Sequence, residues 1–182
     1  MIDLSRYSTG DFDRGASRLK EALWVLLRAL FFGRALPVPS AVKVFWLRVF
    51  GAKIGKGAVI RSGVNISFPW RLQMGDHVWL GDEVTILSLA PVIIGSNVCL
   101  SQRAFICTGS HDYSKPGFDL CVRPVRVEDG SWVAAQCFVA PGVTIGRGSV
   151  AAAGSIVVQD VEAGTLVGGN PARFLKRVKG VD

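Results

Sequence analysis

The sequence predicts an all-β core, a parallel β-helix of about five coils, behind an N-terminal helical segment and ahead of a short C-terminal extension. Three observations carry that expectation. From Ile54 an aliphatic residue returns every six positions, usually followed by a small or polar residue, with a small or β-branched residue four places on. The 21 glycines fall at regular intervals through this region and do not form a linker. Upstream, Ala16–Phe32 and Ser40–Phe50 carry apolar residues at helical spacing.

The repeat justifies the core turn by turn. It reads IGKGAV and IRSGVN, slips by two residues, and continues as MGDHVW, LGDEVT and ILSLAP. After a second slip come IGSNVC, LSQRAF and ICTGSH, and from Val127 VEDGSW, VAAQCF, VAPGVT, IGRGSV, AAAGSI and VVQDVE. A period of six suits neither the 3.6 of a helix nor the 2 of a half-buried strand. It suits three short strands per coil, each leading aliphatic stacking on its equivalent 18 residues further along. Gly, Asp and Asn at the corners tolerate the backbone angles that the turns need. At roughly 4.8 Å per coil the prism is about 24 Å long. Residues 1–50 then form a helical cap, 51–168 the β-helix with an excursion over 110–126, and 169–182 a basic extension. Pro37 and Pro39 end the first helix. The cap either buries the open edge of the first coil or attaches to an anionic membrane through its basic, amphipathic surface.

Composition narrows the function classes. With 182 residues, 49% hydrophobic and 19% charged, the chain suits one domain with a sizeable core. A net charge of +7 favours anionic partners: phosphate groups, acidic membrane surfaces or nucleic acid. Met1–Gly15 is polar and acidic, unlike a secretory signal. The longest apolar stretch, Ala22–Phe32, is interrupted by Arg28 and too short to span a bilayer. The four cysteines lack C-x-x-C spacing, so reduced thiols and a cytoplasmic location are expected. No nucleic-acid motif accompanies the charge.

The repeats from Gly51 to Val178, with FGAKIGKG (Phe50–Gly57), TGSHDYS (Thr108–Ser114) and APGVTIG (Ala140–Gly146), carry a family resemblance. The chain resembles the hexapeptide-repeat acyltransferases built on a left-handed parallel β-helix, and within them the colanic acid biosynthesis (exopolysaccharide) O-acetyltransferases. Galactoside and maltose O-acetyltransferases share the layout. The resemblance implies the left hand of the coil and an acetyl-CoA-dependent transfer to a sugar hydroxyl. It also implies a homotrimer with sites between adjacent β-helices.

The repeat breaks at His111, which marks a functional loop. Attack of a hydroxyl on a thioester needs a base, and imidazole, with a reference pKa of about 6.5, suits that task. By resemblance His111 is that base. His77, inside MGDHVW, reads as a surface corner residue. The galactoside enzymes carry an Asn where this chain has Gly81, so the group that orients His111 stays open among Asp82, Glu83, Asp112, Asp11 and Asp13. Trp132 and Trp79 are expected in the acceptor cleft, with subunit packing as the alternative. For the donor, the small residues Ala135, Ala153 and Gly154 let a ligand approach the backbone. By resemblance the Ala135 amide faces the thioester carbonyl and stabilises the oxyanion, while Arg173, Lys176 and Arg177 lie near the CoA phosphates. Val158 stands where some relatives have a polar residue toward the adenine.

No G-x-S-x-G elbow or activated cysteine is present, which favours direct transfer. The competing readings are a γ-type carbonic anhydrase, which needs three histidine ligands where this chain has two, and a non-catalytic scaffold. No metal is expected. The acceptor is a polysaccharide or lipid-linked sugar, a small free sugar, or the amine of an amino sugar.

Overall fold

The computed structural model describes residues 2–33 and 37–180. Three parallel sheets form the faces of a prism. The first face stacks Lys53–Ile54, Leu72–Met74, Val92–Ile94, Val125–Val127 and Thr144–Ile145. The second stacks Val59–Ile60, Trp79–Leu80, Cys99–Leu100, Trp132–Val133, Val150–Ala151 and Thr165–Gly169, and Ala172–Arg177 folds back antiparallel on its last strand. The third stacks Asn65–Ile66, Thr85–Leu87, Phe105–Cys107, Phe138–Val139 and Ile156–Val157. Five coils thus carry a strand on every face.

The leading aliphatics are the core. On the first face Ile54, Met74, Ile94, Val127 and Ile145 stack in register, and all are buried. Ile60, Leu80, Leu100, Val133 and Ala151 do the same on the second face, and Ile66, Ile86, Ile106, Val139 and Val157 on the third. Each large aliphatic so buried contributes about 1.5–3 kcal/mol.

Two sequence expectations need correction. The 18-residue coil holds only after the excursion; Ile54 to Met74 and Met74 to Ile94 are 20 apart. The added residues sit at the corner between the third and first faces, where buried hydroxyls satisfy their backbone. Ser88 Oγ accepts from Phe68 N and donates to Phe68 O, and Thr108 Oγ1 accepts from Ala90 N and donates to Leu87 O. The corner chemistry is also broader than Gly, Asp and Asn. His77, Glu83, Arg103 and Gln136 take left-handed backbone angles, with φ from 56° to 61°. Repeated hydrogen bonds between coils over-determine those corners and offset the local strain.

One glycine shows how tightly the coils close. A Cβ on Gly75 would stand 2.7 Å from Ser96 N and 2.8 Å from the Gly95 carbonyl carbon. Gly75→Ala is therefore expected to cost about 1–3 kcal/mol through displaced backbone, read as a lowered urea midpoint with an unchanged m-value.

The N-terminal helices α1 (Arg18–Phe31) and α2 (Ser40–Val49) sit on the first coil. Ser17 caps α1 by accepting from Lys20 N. Each face of the prism offers unpaired carbonyls at this end, and each receives a side-chain donor. Arg48 donates to Ile54 O (2.7 Å), Lys43 Nζ to Ile60 O (3.2 Å) and Arg61 O (2.9 Å), and Trp24 Nε1 to Ile66 O (2.8 Å). Burial lowers the Lys43 pKa, with Asp82 partly opposing the shift. The opposite side of α1 exposes Leu19, Leu23, Leu26 and Leu30. Among the described residues no helix is long and apolar enough to cross a membrane.

Candidate functional site

The excursion is ordered as a short hairpin, where the sequence suggested only a polar loop. Gly109–His111 pairs antiparallel with Leu120–Val122, His111 lying opposite Leu120. Asp112 builds the tip: its carboxylate accepts from the amide and hydroxyl of Ser114. Those bonds, the hydroxyl first, hold the Asp112 pKa below the usual carboxylate value. Lys115 reaches Asp119 at 3.3 Å, and Arg123 N donates to Thr108 O to close the hairpin base.

His111 is half-buried at the corner between the third and first faces. Its Nδ1 lies 3.0 Å from the Phe118 carbonyl oxygen. A carbonyl can only accept, so Nδ1 carries the hydrogen, and in the neutral imidazole the lone pair is then on Nε2. The imidazole stacks on the Phe118 ring at 4.2 Å with a 7° interplanar angle, and the Tyr7 ring stands 5.8 Å away. The cleft beside it, about 490 Å³, is lined by Ser110, Tyr113, Cys121, Arg123 and Pro141. Sequence reasoning looked for a carboxylate orienter and missed the Phe118 carbonyl, because backbone acceptors leave no compositional trace. Asp112 is committed to the hairpin tip, and Asp13 accepts from Gly15 N.

Other candidates lie apart from His111 within one chain. Trp79 and Trp132 occupy one column of the second face with Cys99 between them, 57% and 47% exposed. Trp132 Nε1 donates to Ser101 Oγ at 2.8 Å. Asp82 sits at the corner between the second and third faces, where it accepts from Ser62 N and pairs with Arg61. Within one chain Asp82, Trp79 and Trp132 thus lie on a different side of the prism from Asp112 and His111. His77 is an exposed corner residue.

The corner between the second and third faces has a feature that bears on the donor. At the opposite corner each coil's amide is capped by the next coil: Lys56 N by Asp76, Asp76 N by Ser96, and Ser96 N by Asp129. On the Asp82 corner the column runs Ser62, Asp82, Gln102, Ala135, Ala153, and only Ser62 N receives such a cap. Among the described residues nothing accepts from the N–H of Gln102 or Ala135. Gly154 follows at φ 70° with open space where a Cβ would stand. This corner thus combines the free amide donors of Gln102 and Ala135 with the small residues Ala135, Ala153 and Gly154. The signal was present in the sequence as Gln and Ala replacing the Asp or Ser of the other turns.

At the end of the prism Arg173 and Arg177 line a hollow of about 320 Å³ with Asp160 and Glu162. Arg177 pairs with Glu162 at 3.1 Å, Lys176 lies exposed opposite Leu166, and Val158 is exposed. Cys107 and Cys137 are buried, and burial raises both thiol pKa values, so neither is an activated nucleophile.

No family model matches the chain. It is 41% identical over 176 residues to the protein named as the colanic acid biosynthesis acetyltransferase WcaF of Escherichia coli K12, covering 97% of each chain. The crystal structure of the hexapeptide-repeat acetyltransferase VCA0836 of Vibrio cholerae, complexed with acetyl-coenzyme A, matches with a TM-score of 0.81 at 30% identity. That match covers 98% of this chain and 100% of the other. A galactoside acetyltransferase in complex with coenzyme A shares the fold, with a TM-score of 0.77 at 21% identity, over 88% of this chain and 82% of that one. The six-residue repeat, its stacked coils and these full-length likenesses agree: the chain belongs to the hexapeptide-repeat acetyltransferases.

Proposed function

We propose that the protein transfers an acetyl group from acetyl-CoA to a sugar hydroxyl in exopolysaccharide or lipid-linked saccharide synthesis, with His111 as general base. The observation that carries this reading is the His111 geometry. The Phe118 carbonyl takes Nδ1–H, which in the neutral imidazole leaves the lone pair on Nε2, and His111 lines the cleft. The acceptor O–H gives its proton to Nε2 as its oxygen bonds to the thioester carbon. The Ala135 N–H, which has no other partner among the described residues of its own chain and lies on the same corner as Asp82, donates to the oxyanion from the adjacent subunit. Collapse breaks the C–S bond, and the imidazolium returns the proton to the departing thiolate. The similarity to the colanic acid biosynthesis acetyltransferase WcaF supports a role in exopolysaccharide synthesis, and that to the acetyl-CoA complex of VCA0836 supports the donor.

In this reading the free amide of Gln102 and the space at Gly154, beside Ala153, serve the pantetheine arm, and Arg173, Lys176 and Arg177 serve the phosphates. Trp79, Trp132 and Asp82 meet His111 only across a subunit boundary, so a homotrimer completes the acceptor cleft. Residues 1–50 carry eight basic against four acidic residues, and the exposed leucines of α1 support peripheral contact at the cytoplasmic face of an anionic membrane.

The test is acetyl-CoA turnover by thiol release with a panel of mono- and oligosaccharides, run beside size measurement in solution. Acceptor-dependent release by a trimer is the expected result. Absence of acetyl-CoA binding would move a scaffold role to the front. Arg173→Ala and Lys176→Ala are each expected to raise KM for acetyl-CoA about tenfold while kcat holds. The difference from the parent should shrink as salt is raised.

A further inference from the structure

The His111 hairpin is gripped from outside by a segment that precedes every element of the β-helix. Asp3 N donates to Pro116 O at 2.9 Å, and Leu120 N donates to Ser8 O at 3.4 Å. Asp3 also accepts from Ser5 N and Ser5 Oγ, which winds Leu4–Arg6 into one 3₁₀ turn and aims Tyr7 inward. Gly117 permits the approach, since a Cβ there would stand 3.1 Å from Arg6 O. The two tethers bracket Phe118, whose ring and carbonyl hold the imidazole. Phe118 has φ 50°, a left-handed angle that is strained for an aromatic residue and persists only where its surroundings over-determine it. The strap Asp3–Ser8 supplies part of those surroundings from outside, while Phe118 N–H donates to Lys115 O and Asp112 N–H to Asp119 O within the hairpin. Tyr7 touches the other partner directly, its ring 5.8 Å from His111 and tilted by 56°.

We infer that the strap Asp3–Ser8 is part of the catalytic apparatus and that Tyr7 is a positioning residue, holding the His111 imidazole against Phe118 with Nδ1 on its carbonyl. Tyr7 does not line the cleft, so it acts through His111 and not on the acceptor. Without the Tyr7 ring the imidazole gains freedom to swing from Phe118, and a base displaced by even an ångström is costly to the transfer step. The inference rests on the reading of His111 as the base, and the test separates the two.

Tyr7→Ala is expected to lower kcat roughly ten- to thirtyfold with KM for acetyl-CoA and the thermal midpoint little changed, because Tyr7 is exposed on one side and outside the core. Tyr7→Phe should restore kcat, since the contact is made by the ring. Gly117→Val, which pushes the strap outward, should repeat the Tyr7→Ala loss. The chain holds two histidines, so ¹⁵N-labelled imidazoles give two assignable sets of signals, and the set lost in His111→Ala is that of His111. Its Nδ1–H should exchange slowly with solvent in the parent and in Tyr7→Phe, and rapidly in Tyr7→Ala. A Tyr7→Ala protein with parental kcat and a protected Nδ1–H would overturn the inference, as would a Tyr7→Phe protein as impaired as Tyr7→Ala. Full activity in His111→Ala would instead overturn the proposed base, and the Nδ1–H exchange would still decide the role of the strap.

Discussion

His111→Ala is expected to reduce acceptor-dependent thiol release at least a hundredfold, with acetyl-CoA affinity and fold intact. The side chain is half-buried on a hairpin outside the stacked core, so its loss leaves the coils undisturbed. What is lost is the Nε2 lone pair held ready by the Phe118 carbonyl. On the proposed mechanism the remaining rate would come from substrate approach and from the Ala135 amide donor. The effect should fall on kcat and on kcat/KM for the acceptor alike, because the base acts in the transition state and not in ground-state binding. Steady-state kinetics with thiol detection, together with calorimetric binding of acetyl-CoA, measure both. A variant that keeps its rate would exclude imidazole catalysis at this site.

Trp24→Ala is the substitution expected to cost most stability, about 3–5 kcal/mol. Trp24 is fully buried between α1 and the first coil, with the rings of Phe32 and Phe50 each 5.3 Å away. Truncation opens a cavity and also removes the shorter of the two side-chain donors to the Ile66 carbonyl, Trp24 Nε1 at 2.8 Å, leaving only Arg28 Nη1 at 3.4 Å. Trp24→Phe keeps part of the packing and loses only the donor, so it should cost about 1–2 kcal/mol. Thermal unfolding should place the alanine variant on the order of 10 °C below the parent, with the phenylalanine variant between them. Equal midpoints for all three would mean that the helices contribute nothing to the closure of the first coil.

Much of the architecture was legible because the β-helix is written as a one-dimensional code. A residue buried in one coil has its equivalent buried in the next, so Ile54, Ile60 and Ile66 announce three faces before any strand is drawn. The break at His111 was legible for the same reason, since a long repeat makes its own interruption visible. The helical spacing of α1 was equally plain, but its Ser17 cap and the choice of Trp24 as the inward residue, with Leu19, Leu23, Leu26 and Leu30 left exposed, came only with the structure. The left-handed corners at His77, Glu83, Arg103 and Gln136 were less so, because their strain is offset by bonds to neighbouring coils and not by residue type.

By itself, then, the sequence determined the stacked coil, the place of the excursion and the candidate base, each a local or periodic property of the chain. The tertiary structure alone decided how that base is held. Phe118 comes into register through a hairpin, Tyr7 arrives from more than a hundred residues away, and the free amides of Gln102 and Ala135 exist only because the side chain above each fails to reach down. It also separated Trp79, Trp132 and Asp82 from His111. The reason is geometric: spacing along the repeat says which residues face outward, whereas the assignment of each outward residue to a face or corner depends on how the coils turn and where the excursion leaves them.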